Sequence, residues 1–222
     1  MTDLQTIGTG SVPATDFWSR FGAWCGWGAG ILNLIGFVWY CTVVLDGSAT
    51  TNAITWWMLL GETLVSLAIL RDRTGDPATW FTEFVSMIGV GFVSLYLLWE
   101  VLQGKGLVVL ASVATIDIFI LGLTLAVGAI WLATRRKYGA GPAIWIFQIV
   151  LVSSMIPLVR SAYADPTSEP LGPWVLWCGV FFLQTVCAKL RLRELEAYIN
   201  PLNYTLTHVL VVVAIILGSA SV

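Results

Sequence analysis

Thr55-Trp56-Trp57-Met58-Leu59 and Pro173-Trp174-Val175-Leu176-Trp177 are separated by an offset of 118 residues, and each opens a long apolar run. Read with that offset, Trp56 falls on Trp174, Arg71 on Lys189, Asp76 on Glu194 and Trp80 on Tyr198, with no gap. Each run closes on a basic residue, then an acidic one, then an aromatic that starts the next run. An internal repeat of this kind in a membrane chain places a binding site between the two copies.

The membrane class follows from composition. The 222 residues are 58% hydrophobic and only 11% charged, with a mean hydropathy of +0.85; a soluble domain carries about 25% charged residues. Seven apolar stretches, near 24–45, 51–70, 80–102, 107–134, 141–163, 170–189 and 199–218, are each long enough at about 20 residues to cross a bilayer. The expected fold is an all-α polytopic membrane protein with seven transmembrane helices. They parse as a polar N-terminal segment (1–22), a three-helix repeat (23–103), a linker helix (104–138) and a second three-helix repeat (139–219). No cleaved signal peptide is expected, because the first residues lack a basic segment followed by a short apolar core. Cys25, Cys41, Cys178 and Cys187 lie inside apolar stretches without a C-x-x-C pattern and read as small buried side chains.

The basic residues set the expected orientation. With seven spans, Arg20, Arg71, Arg73, Arg135, Arg136, Lys137, Lys189, Arg191 and Arg193 fall on one side, and Lys105 and Arg160 on the other. The positive-inside rule then puts the N-terminus in the cytoplasm and the C-terminus outside, in a cell membrane of the bacterial inner-membrane type. A single linker helix lets both triplets keep one orientation, giving parallel repeats in a 3+1+3 arrangement. Topology accounts for the basic residues, so nucleic acid is not an expected partner. The expected partners are the bilayer and a small solute or prenyl lipid, with oligomers left open.

Ionisable and aromatic residues inside the spans are the site candidates. Glu62, in Gly61-Glu62-Thr63, sits near mid-bilayer, where an acid costs on the order of 2.5–3.5 kcal/mol; a partner, a proton or a water-filled cavity must offset it. Asp117 lies in the linker helix and reads as a brace, and Arg160 reads as a snorkelling residue or one paired with an acid. His208, the only histidine, and Gln184, Gln148, Asn33 and Asn52 add hydrogen-bonding groups. Glu83 and Glu100 read as interfacial. Of twelve tryptophans, most lie at span ends as an interfacial belt. Trp56, Trp57, Trp174 and Trp177 differ because they sit early in the equivalent helices of the two repeats, with Trp56 falling on Trp174, and an aromatic pair from each repeat can sandwich a ring-shaped ligand or a cation. Pro157 is expected to kink its helix. There is no Walker loop, paired His/Cys set or H-E-x-x-H motif, and no cofactor or metal is expected.

The 3+1+3 plan, with Asp117, Pro157, the run Ala162-Tyr163-Ala164-Asp165-Pro166 through Gly172-Pro173-Trp174, and Pro201 with Tyr204 and His208, resembles the PQ-loop superfamily, which includes the SWEET and PnuC transporters. Trp174-Val175-Leu176-Trp177 and Asn52-Ala53-Ile54-Thr55-Trp56 are similar to the W-x-x-W and N-x-x-x-W motifs of PnuC-like carriers. The resemblance covers 107–210 and, by pattern, 30–100. It implies alternating access between two triplets, with Asn52, Trp56, Trp57, Glu62, Trp174, Trp177, Gln184 and His208 as solute contacts. A weaker local resemblance, carried by Asn33-Leu34-Ile35-Gly36-Phe37-Val38 followed by Glu62, is to integral-membrane meroterpenoid (terpene) cyclases. It implies Glu62 as general acid, with Asp117 standing in for the second carboxylate of those enzymes.

Overall fold

The computed structural model describes residues 17–105, 115–138, 141–192 and 195–221. Every regular element among them is a helix. Seven are long: α1 (Phe17–Leu45), α2 (Ala53–Arg73), α3 (Pro77–Glu100), α4 (Thr115–Tyr138), α5 (Gly141–Ala164), α6 (Leu171–Arg191) and α7 (Leu195–Ala220). A π-helical turn follows α3 at Val101–Lys105, and a 3₁₀ turn at Pro166–Ser168 joins α5 to α6. Five segments, Phe17–Leu45, Pro77–Lys105, Phe147–Ala164, Leu171–Arg191 and Ala197–Ala220, are long and apolar enough to cross a membrane. The protein is therefore an α-helical membrane protein. Leu34, Val38, Leu95, Phe119, Ile149 and Leu217 are among the exposed apolar side chains that face outward, as a lipid-facing surface requires.

Local chemistry explains the boundaries. Asn52 caps α2 by accepting from the Thr55 N–H at 3.2 Å, and Asp76 caps α3 by accepting from the Ala78 N–H, with Pro77 in the first helical turn. Gly47, at φ +78°, turns the chain after α1. Lys189 and Arg191 sit in the last turn of α6, where they complement the helix dipole. Sequence reading starts the first helix at 24, yet α1 begins at Phe17. Phe17, Trp18 and Phe21 pack on one another there, with ring centroids 5.3–6.4 Å apart, and carry the helix back into the segment read as a polar N-terminal one. The expected start of the linker helix at 107 lies outside the described residues, as do Arg193 and Glu194.

The offset of 118 residues reappears in the boundaries. α2 and α6 match at both ends, and α3 and α7 at their starts. Packing follows the same scheme. α3 lies between α1 and α2, and α7 lies between α5 and α6. α1 packs extensively against α6, whereas α2 meets α5 over a smaller area, and α4 leans on both α2 and α5.

Polar contacts define two ends. At one, the Arg191 guanidinium donates to the Asp76 carboxylate and, at 2.8 Å, to the Ser19 carbonyl, tying α6 to the starts of α3 and α1. This is the basic end. At the other, the 3₁₀ loop meets the end of α1 and the start of α2 through Glu169. Between them the α1–α3–α6 seam is sealed. Asn33 donates to the Thr82 carbonyl (3.0 Å) and the Ser86 hydroxyl (2.8 Å), and Thr82 donates to Gln184 Oε1 (2.9 Å).

Small residues let α1 come close. A β-carbon at Gly26 would lie 2.1 Å from the Ala78 carbonyl oxygen, a backbone atom that cannot rotate away. Gly26→Ala is expected to cost about 1–3 kcal/mol by overpacking, measured as a fall in thermal unfolding temperature in detergent. Gly28→Ala, where a β-carbon meets nothing within 4 Å, is expected to be near neutral.

Candidate functional site

A cavity lies where α1, α2 and α3 face α6 and α7. It is lined by Asn33, Phe37, Trp56, Leu59, Thr63, Ser86 and Val90 from the first three helices, and by Trp174, Trp177, Phe181, Tyr204 and His208 from α6 and α7. Ten of these twelve fall into five pairs at the offset of 118: Trp56 with Trp174, Leu59 with Trp177, Thr63 with Phe181, Ser86 with Tyr204, and Val90 with His208. Helical spacing explains the set. Residues three or four apart share a face, so Trp56, Leu59 and Thr63 point one way from α2, and Trp174, Trp177 and Phe181 do so from α6.

The rings close on each other. Trp174 lies 5.0 Å from Trp177 and 5.1 Å from His208, Tyr40 lies 4.8 Å from Trp56, and Trp56 faces Trp174 across 6.5 Å. The space left is about 20 Å³, room for about one water. The walls are aromatic, yet three buried polar atoms of lining residues have no hydrogen-bond partner among the described residues: Asn33 Oδ1, Trp177 Nε1 and the Tyr204 hydroxyl. His208 Nδ1 sits 2.6 Å from the Tyr204 carbonyl. That places a proton on Nδ1 and, in the neutral ring, leaves Nε2 as an acceptor. The residues lining this otherwise largely apolar cavity thus carry two donors and two acceptors, a composition typical of small-molecule sites.

Glu169 caps the cavity. Its carboxylate accepts from the Tyr40 hydroxyl (2.9 Å), the Trp174 indole N–H (3.0 Å) and the Thr51 hydroxyl, and Thr51 in turn accepts from the Trp56 indole (2.7 Å). The two halves thus repeat one contact, Trp56 to Thr51 and Trp174 to Glu169, each spanning five residues. Thr51 and Glu169 are themselves 118 residues apart and touch. Burial pushes the Glu169 carboxyl up to about 7, against the opposing pull of the donors Thr51, Trp174 and Tyr40.

On the other side of the cavity, toward the basic end, lies a polar cluster. Asn200 donates to Ser66 (2.7 Å) and to Glu83 Oε1 (3.3 Å), and Gln148 links Asn200 to Asn203 through bonds of 3.2 and 2.7 Å. The Asn200–Ser66 pair has a counterpart at the offset, Thr82–Gln184, on the sealed seam. Glu62 and Glu83 are both fully buried.

Of the residues singled out in the sequence, Trp56, Trp174, Trp177 and His208 meet at the cavity. Glu62 sits behind its wall, next to the lining Thr63. Trp57 turns away and donates to the Ser94 carbonyl at 3.2 Å. Gln184 is held in the α3–α6 seam, Asn52 acts as the α2 cap, and Asp117 pairs with Arg160 at 2.8 Å, joining α4 to α5. Sequence reasoning missed Phe37, Tyr40, Phe181 and above all Glu169 and Glu83. Glu83, expected at the interface, is buried because Pro77 starts α3 early and Asn200 of α7 covers it. The polar spacing Thr79, Thr82, Glu83, Ser86 is the signal that marks its face.

No protein-family model, curated protein or solved structure matches the chain.

Proposed function

We propose that this protein is a small membrane carrier that moves a ring-containing solute by alternating access between two parallel three-helix bundles, α1–α3 and α5–α7, with α4 as the linker. The observation that carries the reading is the pairing of the cavity: five lining pairs at one offset support a site on an approximate two-fold axis between equivalent bundles. The common 1-3-2 packing order of each triplet and the matched helix boundaries support the same repeat. Carriers built from such repeats hold their solute at this place. In the state described the cap end is closed by Glu169 and the rings have collapsed onto one another. A solute enters by rocking one bundle against the other, and a flat ring with hydrogen-bonding edges suits aromatic walls with Trp177 Nε1, Tyr204, Asn33 and His208 at their margin. The basic end is the cytoplasmic one on the positive-inside rule.

The test is uptake into liposomes of purified protein, using labelled monosaccharide, pyridine nucleoside, purine base and aromatic amino acid. At least one is expected to enter faster than in empty vesicles. Trp177→Ala is expected to slow that entry at least ten-fold, while Val175→Ala, on the exposed face of α6, leaves it unchanged. Absence of uptake for the whole panel would refute the carrier.

A second reading, a membrane-bound terpene cyclase with Glu62 as general acid, is favoured by one observation, the aromatic share of the wall (Phe37, Trp56, Trp174, Trp177, Phe181 and Tyr204), which suits carbocations. The ion pair of Asp117 with Arg160, away from the cavity, speaks against its second acid. Incubation with prenylated substrates, followed by product analysis, tests it on the same preparation.

A further inference from the structure

Two carboxylates are buried in the cluster between the cavity and the basic end, and nothing in the carrier reading uses Glu83. Glu62 of α2 and Glu83 of α3 have no exposed surface. Both Glu62 oxygens and Glu83 Oε2 accept no hydrogen bond among the described residues. The ion pairs among those residues, Lys105–Glu100, Arg160–Asp117 and Arg191–Asp76, leave both acids without a cation. The groups that face the two acids are Ser66 of α2, Ser154 of α5, and Asn200 and Tyr204 of α7, and each acid faces the other. α4 presents apolar Ile120 to α2. The Ser154 hydroxyl itself donates to the Leu151 carbonyl at 2.8 Å. His208 lies a turn beyond Tyr204, with ring centroids 6.2 Å apart.

A bare carboxylate in such surroundings costs several kcal/mol, and two neighbouring ones cost more. Protonation removes that cost without any partner. Asn200 and Gln148 form a hydrogen-bonded path from Glu83 to the half-buried Asn203. Tyr204 lies between the acids and the cavity: its hydroxyl is close enough to feel the charge of both acids, and its ring lines the cavity, stacked on Phe181 at 4.7 Å. The acids belong to the first bundle, and the residues that cover them from α5 and α7 belong to the second. Any rocking of one bundle on the other changes how far the acids are covered.

Resting on the carrier reading, we propose that Glu62 and Glu83 form a proton-binding site that couples solute movement to proton movement, with Tyr204 linking that site to the cavity. The proton is taken up by a carboxylate oxygen from water on one side and released to water on the other; no electrons move and no other bond is made.

Two measurements test this. The first is an infrared titration of the protein in nanodiscs with carboxyl-labelled glutamate. A carboxylic C=O band that persists at neutral pH and is lost in Glu62→Gln or Glu83→Gln is expected; a fully ionised spectrum at neutral pH would overturn the site and needs no variant. The second uses whichever panel solute moves, in liposomes with an imposed pH gradient of one unit. About ten-fold accumulation is expected for one proton per solute, and Glu83→Gln is expected to keep solute exchange at zero gradient while losing accumulation. Tyr204→Phe, which keeps the ring, is expected to weaken the dependence on the gradient. Movement indifferent to the pH gradient, or driven by a sodium gradient instead, would overturn the coupling and leave the carrier standing. Failure of every panel solute to move would remove both.

Discussion

Trp174→Ala is expected to be the most damaging substitution in the cavity, lowering stability by about 3 kcal/mol and abolishing solute movement. The side chain is 1% exposed and touches Tyr40, Trp56, Trp177 and His208. Its loss leaves a hole in the centre of the bundle interface and removes a donor from Glu169. The lower end of the usual Trp→Ala range applies, because lipid replaces water as the outer medium and the transfer part of the cost shrinks. Trp174→Phe separates the two losses: it keeps most of the packing and deletes only the N–H. Unfolding in detergent measures both variants. Should Trp174→Ala unfold with the midpoint of the unmodified chain, the ring does not hold the bundles together.

Glu169→Ala is expected to cost on the order of 3 kcal/mol, since Tyr40, Thr51 and Trp174 lose one acceptor at once and each unsatisfied buried donor costs about 1–3 kcal/mol. The same residue gives a pH dependence of definite sign. In the folded protein burial holds its proton up to about pH 7, against an ordinary value of 4.5. Between those values the folded state binds more protons than the unfolded one. The contribution of Glu169 to stability is therefore greatest in acid, falls as pH rises from 4.5 to 7, and is level above that. The fall amounts to about 3 kcal/mol. It is read as the difference in pH-dependent unfolding between the unmodified chain and Glu169→Gln, which cannot titrate. Equal slopes for the two would show that Glu169 is not the titrating group. For a carrier, the same protonation sets how tightly the cap end is shut.

Much of the helical architecture is legible in the sequence, because apolar runs of the right length can bury their backbone polar groups in a bilayer only as helices. The meeting of Trp56 with Trp174 is also legible, since the two indoles recur at one offset; Trp177 and His208 fall on Leu59 and Val90, and recurrence alone does not mark them. Trp57 shows the limit. It is adjacent to Trp56, but successive helical residues point about 100° apart, and composition alone does not say which of two neighbouring indoles faces inward. Asn52 shows another: placing the helix start at 51 makes it an interior residue, whereas a start at Ala53 makes it the cap. Glu169 is the hardest case. An acid in a Pro- and Ser-rich loop reads as solvated, and its burial depends on Tyr40, more than a hundred residues away. Glu83 was hidden by the same kind of long-range covering, from Asn200.

The contact between Thr51 and Glu169 bears on how such a protein can arise. Residues at equivalent positions that touch each other lie on the symmetry axis, where in a dimer of identical halves a side chain meets its own copy. Two copies of the second half would set glutamate against glutamate, and two copies of the first would set threonine against threonine. Neither gives an acid facing a hydroxyl, with an indole N–H delivered to each. On the proposed repeat, the pairing of an acid with a hydroxyl therefore requires two halves that have diverged at this position, which a single chain carrying both halves allows.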